Sequence, residues 1–270
     1  MKIAFLGGGN MASALIGGLI AKGFERGSLS VIELSPAARE RLAVTHGVQA
    51  STAPDEATAQ ADTLVLAVKP QDLRAALSGL AGNLKQKLVI SIAAGVRLDA
   101  LSRWLDGHRK LVRCMPNTPA LIGAGISGLY ALPEVSSAER KQAETVLGAV
   151  GEVVWLPEER LLDPVTAVSA SGPAYVFWLI EQMAQAGQKM GIAKDISLRL
   201  ALQTVLGAAR LAASSGESPA QLRKNVTSKG GTTEAALEVF DEEKLAERFV
   251  RALEAASRRG AELGDELGKD

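Results

Sequence analysis

The sequence predicts an α/β fold in two parts: a doubly wound, mostly parallel sheet over residues 1–158, then an all-helical domain over residues 159–270. Three observations carry that expectation. Short β-rich runs alternate with helical patterns through the first half, the pattern of βα units feeding a parallel sheet. From about Glu158 the texture changes to long helical segments with no strand between them. A glycine-rich turn at residues 7–9 separates the first strand from the first helix, where this architecture binds its ligands.

Residues 2–6, 29–33, 63–68, 88–92 and 111–114 read as buried strands, and residues 10–22, 37–46, 71–80 and 98–105 as the helices between them. Runs at 128–131 and 152–155 bracket a helical pattern at 138–150 and extend the sheet. The second half reads as helices over 159–189, 193–214, 220–226, 234–240 and 243–266, with Gly172-Pro173 interrupting the first. Several are rich in Ala and Leu on more than one face, residues 198–213 above all, and such helices need burial on more than one side. A helical domain of about 110 residues is small for that demand, so a partner subunit is expected.

Composition narrows the function classes. Lys+Arg and Asp+Glu both number 30, so the chain has no global field to gather nucleic acid or an anionic membrane, and small molecules are the expected partners. No uninterrupted apolar run reaches the roughly 18 to 20 residues of a membrane helix. One cysteine, Cys114, excludes an intrachain disulfide, and a cytoplasmic location is the natural reading. It reads as a small core residue, and neither His46 nor His108 sits in a ligand motif. No Cys/His/Asp spacing predicts a metal site.

Gly7-Gly8-Gly9-Asn10-Met11-Ala12 matches G-x-G-x-x-A between a strand and a helix, the context that makes it a dinucleotide-binding turn of Rossmann type. Glu33, at the end of the second strand, is placed to read the adenosine ribose; a carboxylate accepts from a 2′-hydroxyl and repels a 2′-phosphate, which leans towards NADH. Ser35 and Arg39 follow closely enough to serve a phosphate, and a solvated strand-end glutamate is the plain alternative. Ala67-Val68-Lys69-Pro70 and Ala93-Ala94-Gly95 end the next two strands at the ligand-binding edge. The latter has room for a ribose or nicotinamide. Lys69 is either a cofactor contact or a solvated lysine before a proline-started helix.

Asn117, between Pro116 and Pro119, suits a carboxamide or ribose as well as it suits turn chemistry. The small residues of Ser169-Ala170-Ser171-Gly172-Pro173 fit close approach of a ligand or a helix kink. Asn225-Val226-Thr227-Ser228-Lys229-Gly230-Gly231-Thr232-Thr233 then runs into a helix. Paired glycines let backbone approach a ligand, and the helix start points unpaired N–H groups at an anion. The loop holds no strong general base.

Taken in order, residues 7–12, 68–70, 115–119, 171–175 and 225–233 resemble the pyrroline-5-carboxylate reductase family across nearly the whole chain, the last segment being the most specific. The resemblance implies reduction of L-1-pyrroline-5-carboxylate to L-proline, the final step of proline biosynthesis, with NADPH or NADH and no metal. It implies that Thr233 hydrogen-bonds the ring nitrogen, that Ser228 with the N–H groups of Gly231 and Thr232 holds the carboxylate, and that Asn225 and Gly230 belong to the same substrate site. It also implies that the helical domain is a dimerisation domain, with the active site shared between subunits of a homodimer or of a larger ring of dimers.

Two positions depart from the family pattern: Ala170 replaces a glycine, and Glu33-Leu34 stands where NADPH-preferring members carry a small polar residue or Arg. A related imine or 3-hydroxyacid dehydrogenase shares the architecture, but the hydroxyacid enzymes resemble one another in a catalytic Lys on the first helix of the second domain. Residues 169–182 contain none. A non-catalytic NAD(P)-sensing protein is the other alternative, and it has no use for the loop at residues 228–233.

Overall fold

The computed structural model describes residues 1–78, 80, 84 and 86–269. An eight-stranded sheet runs β3-β2-β1-β4-β5-β6-β7-β8, built from β1 (Ile3–Leu6), β2 (Leu29–Ile32), β3 (Ala50–Ser51), β4 (Thr63–Leu66), β5 (Leu88–Ser91), β6 (Leu111–Met115), β7 (Gly125–Ala131) and β8 (Gly151–Trp155). Every pairing is parallel except β6 with β7. The helices are α1 (Asn10–Ala21), α2 (Pro36–His46), α3 (Glu56–Ala59), α4 (Pro70–Leu77), α5 (Leu98–Trp104) and α6 (Ser137–Leu147), so the expected doubly wound sheet is present. Residue 79 of the helix expected over 71–80 lies outside the described residues.

Period-two alternation explains why both faces are covered. On β1, Ile3 and Phe5 join one apolar cluster with Leu15, Ile16 and Leu19 of α1, while Ala4 and Leu6 join the other with Leu73 and Leu77 of α4 and Leu98 and Leu101 of α5. Each of the Leu, Ile and Phe side chains, fully buried, contributes about 1.5 to 3 kcal/mol of transfer free energy. Because β1 pairs with both β2 and β4, the chain winds away from it in two directions, and a crevice opens at the C-terminal ends of β1 and β4.

Local capping fixes the helix starts. Ser136 accepts from Glu139 N at 3.3 Å while the Glu139 carboxylate accepts from Ser136 N at 2.8 Å, a complete capping box for α6. Ser136→Ala is expected to cost about 1 kcal/mol in urea unfolding. An unchanged midpoint and slope would show that water replaces the hydroxyl without loss.

Among the described residues, one charged side chain is buried within the sheet. Arg113 on β6 is buried and pairs with Glu159 at 3.1 Å and Asp163 at 3.6 Å, and Glu159 also accepts from Leu98 N at 2.8 Å. A guanidinium without these partners would be strongly unfavourable there.

Past β8 the chain is helical: a short α7 (Leu162–Val165), a π-helical turn Thr166–Ala170, then α8 (Gly172–Lys189), α9 (Lys194–Ser214), α10 (Pro219–Asn225), α11 (Thr232–Glu242) and α12 (Leu245–Leu267). The kink expected near Gly172 is this π-helical turn and the restart after it. Small residues line the seam of α8 and α9: Ala184, Gly187, Ser197 and Ala201 are buried, and a Cβ on Gly187 would meet Ser197 Oγ at 2.8 Å. The same helices expose Phe177, Trp178, Met183, Leu198, Leu202 and Leu206, the apolar excess anticipated from the sequence. By length and composition α9 could cross a membrane, although Arg199 and Arg210 break its apolar run.

The strands end before 159, where the sequence boundary was drawn. Contacts divide the chain differently: Met1–Ala170 and the chain from Ala255 onward form one compact unit, and Ser171–Glu254 the other.

Candidate active site

Gly7 adopts φ +100 and donates its N–H to Ile32 O at 2.8 Å; a Cβ there would stand 2.7 Å from Ala67 O, so only glycine fits the turn. Gly9 is the N-cap of α1, and nothing lies within 4 Å of its would-be Cβ. No side chain caps α1, so the N–H groups of Asn10, Met11 and Ala12 have no intrahelical acceptor, an arrangement that suits an anion. Ala12 is buried against the sheet, as the third small position of the motif requires.

Glu33 forms the wall of this corner. Its Oε2 accepts from Gly8 N at 2.7 Å and its Oε1 from Ser35 N at 2.7 Å. Arg39 Nη1 donates to the carbonyls of Glu33 and Leu34 at 3.0 and 2.8 Å, and Arg41 Nη2 to Gly8 O at 3.3 Å. Ser35 Oγ caps α2 by accepting from Ala38 N at 3.4 Å. Arg41 escaped the sequence reading, because only the fold of α2 beside the glycine turn brings it there.

A cleft of about 670 Å³ collects Gly7, Gly9, Glu33, Ala67, Val68 and Lys69 of the expected cofactor residues, with Leu34, residues 52–54 and Asp72 among the rest of its lining. Lys69 is exposed at its rim and Pro70 opens α4. Gly8, Asn10, Met11, Ala12, Ser35, Pro70, Ala93, Ala94, Gly95 and Asn117 are outside this lining. Asn117 is engaged by the chain itself: Nδ2 donates to Ser169 O at 3.2 Å and Oδ1 accepts from Ile126 N at 2.9 Å. Its amide therefore ties β7 to the π-helical turn.

The remaining titratable candidates are structural. His46 is bonded to Ser13 Oγ at 2.8 Å and burial lowers its pKa; burial likewise lowers that of His108, whose Nε2 sits 3.0 Å from Lys87 O. Complete burial pushes the Cys114 thiol far above its usual range, so no thiolate forms there. Among the described residues no cluster of His, Cys, Asp and Glu fit to hold a metal occurs.

In the second unit, the loop between α10 and α11 folds into a turn with Gly230 at φ +70. Thr227 Oγ1 donates to Arg223 O at 2.7 Å, and the Asn225 side chain bonds Gln221 and Glu217 at 2.7 and 2.9 Å. A Cβ on Gly231 would lie 2.6 Å from Ser228 Oγ, which puts that hydroxyl over the head of α11, a helix that no side chain caps. One expectation is corrected. The N–H of Gly231 donates to Ser228 O at 3.0 Å and that of Gly230 to the Glu234 carboxylate at 2.6 Å, so neither is free for a ligand. The donors without an intrahelical acceptor at the helix head are the N–H groups of Thr232, Thr233 and Glu234, since Ala235 N is the first to reach the Gly231 carbonyl. Glu234 was missed because its bond depends on the positive φ of Gly230.

Residues 159–263 match the family model described as pyrroline-5-carboxylate reductase dimerisation, and residues 2–95 match the one described as NADP oxidoreductase, coenzyme F420-dependent. A pyrroline-5-carboxylate reductase of Pseudomonas aeruginosa is 47% identical over 269 residues, spanning 99% of this chain and 98% of that protein. The chain belongs to the pyrroline-5-carboxylate reductase family. Solved pyrroline-5-carboxylate reductases superpose on it along their length: that of Coxiella burnetii with TM-score 0.92 and 39% identity over 97% of this chain and 98% of its own. The Plasmodium falciparum enzyme, solved with NADP bound, follows with TM-score 0.85 and 29% identity over 98% of both chains. The resemblance read from the five motifs is thereby borne out.

Proposed function

We propose that this chain reduces the cyclic imine of L-1-pyrroline-5-carboxylate to L-proline with NADH or NADPH, as the last step of proline biosynthesis, in the cytoplasm and as a homodimer or larger ring of dimers. The observation that carries this reading is the head of α11: an uncapped helix start with a serine hydroxyl over it, adjacent to Thr233, and no general base in the loop. A monocarboxylate fits such a seat, and an imine needs no base.

The first part of the chain fits a dinucleotide, because the glycine turn leaves no room for a Cβ at Gly7 and open space at Gly9. When bound, the cofactor supplies a hydride for the imine carbon. Residues 7–12 hold the pyrophosphate, Glu33 and Ser35 flank the adenosine ribose, residues 67–70 and 93–95 border the remainder, and Asn117 stiffens the neighbouring loop. Ser228 and the N–H of Thr232 hold the substrate carboxylate, while Asn225, Gly230 and Gly231 shape the turn that presents them. The Thr233 hydroxyl orients the ring nitrogen. That nitrogen enters protonated and keeps the C=N electron pair when the carbon accepts hydride, giving the secondary amine. Orientation and charge complementarity then supply the catalysis. Residues 159–270 serve as the substrate-binding and dimerisation domain, and the exposed apolar side chains of α8 and α9 give such a partner something to cover.

The test is absorbance at 340 nm with pyrroline-5-carboxylate and each dinucleotide in turn. A falling trace with proline as the product is expected. A flat trace with both cofactors, in protein that still binds them, would replace the enzyme by a dinucleotide sensor.

A further inference from the structure

The loop after β5 is gripped by the C-terminal end of α12. Gly95 has φ +76, and a Cβ there would stand 3.1 Å from Leu267 Cδ1 and 3.3 Å from Leu263 Cβ. Two residues on, the Arg97 guanidinium lies along the same helix, donating to Ala261 O at 3.2 Å and pairing with Asp265 at 2.7 Å. Gly264 is buried under it, and a Cβ at that position would come within 2.9 Å of Arg97 Nε. Leu267 packs against the apolar cluster of that face of the sheet.

Burying a helix end needs only apolar contact. This junction adds a left-handed glycine and a two-point guanidinium latch, and both fall on the segment that leaves β5 at the ligand-binding edge of the sheet. The amphipathic pattern of α12 says nothing of this partner, since it specifies a face and not what covers it.

We propose that residues 261–268, latched by Arg97, are a positioning element for the nicotinamide half of the cofactor. They hold Ala93, Ala94 and Gly95 in the conformation on which that half rests. The adenosine half is held elsewhere, by the glycine turn and Glu33, and is independent of the latch. This rests on the proposed cofactor role of residues 93–95, and it makes Arg97 a positioning residue with no contact of its own to the reacting atoms.

The test compares two probes by calorimetry on the full chain: NADH, and ADP, which lacks the nicotinamide and its ribose. Arg97→Ala is expected to weaken NADH about tenfold while ADP stays within about twofold, with Arg97→Lys recovering part of the loss. Gly264→Ala, which keeps every polar partner but displaces the guanidinium, should act in the same direction and serves where Arg97→Ala does not fold. In turnover the KM for NADH rises while the KM for pyrroline-5-carboxylate is unchanged. Equal weakening of both probes, or unchanged NADH affinity in both variants, overturns the proposal. Because binding is read without the second substrate, a failure of the latch is distinguishable from a failure of the reductase reading.

Discussion

Replacing Thr233 by alanine lowers kcat by about a hundredfold while the KM for NAD(P)H stays within about twofold. Thr233 is the second residue of α11, half-buried, at a helix start whose N–H groups face outward. Alanine is a better helix former than threonine, so the change does not unfold the turn. What disappears is the hydroxyl proposed to orient the ring nitrogen. A hydrogen bond that tightens as hydride arrives acts on kcat more than on ground-state binding, and one such oriented donor or acceptor is worth about 3 kcal/mol. Thr233→Ser retains the hydroxyl and should recover most of the rate. Thr232→Ala retains the backbone N–H assigned to the carboxylate and should cost much less. Steady-state rates at 340 nm with circular dichroism on each variant decide the matter, and an unaltered kcat for Thr233→Ala would remove this residue from the mechanism.

How far the sequence reached depended on the kind of signal. β1 was legible because Ile3, Ala4, Phe5 and Leu6 are apolar on both faces, as a strand covered by helices on both sides must be. The glycine turn was legible because its backbone geometry admits few residues. β3, only Ala50 and Ser51, has no periodicity to detect, and its existence depends on pairing with β2. The direction of β7, antiparallel to β6, is a tertiary choice that alternation does not encode. In the loop at residues 225–233 the residue types point to an anion seat, yet which N–H groups stay open is set by Glu234 and by the Ser228 carbonyl. Burial of the α12 end against Gly95 was invisible for the same reason: contacts between segments about 170 residues apart leave no mark on either one.

Glu33→Ala is expected to shift the ratio of kcat/KM for NADH over NADPH by about fiftyfold, in favour of NADPH. Both carboxylate oxygens already accept from backbone, Oε2 from Gly8 N and Oε1 from Ser35 N. An ionised carboxylate has acceptor sites beyond these two, so a ribose 2′-hydroxyl can still donate to it; that charge-assisted bond is worth about 1.5 to 3 kcal/mol. A 2′-phosphate meets the opposite situation. It carries negative charge towards a fixed negative charge, and the two N–H groups best placed to receive it are taken. Removing the carboxylate deletes the bond to the hydroxyl and frees both N–H groups, with the Arg39 and Arg41 guanidiniums already in the same corner. The KM for NADH should therefore rise about tenfold and that for NADPH fall several-fold. Glu33→Gln separates the two causes: it keeps an acceptor for the ribose while removing the charge, so NADPH should gain, though less than in the alanine variant, and NADH should lose less. If both cofactors change in parallel in either variant, Glu33 only supports the turn through Gly8 and Ser35, and the choice between dinucleotides lies elsewhere.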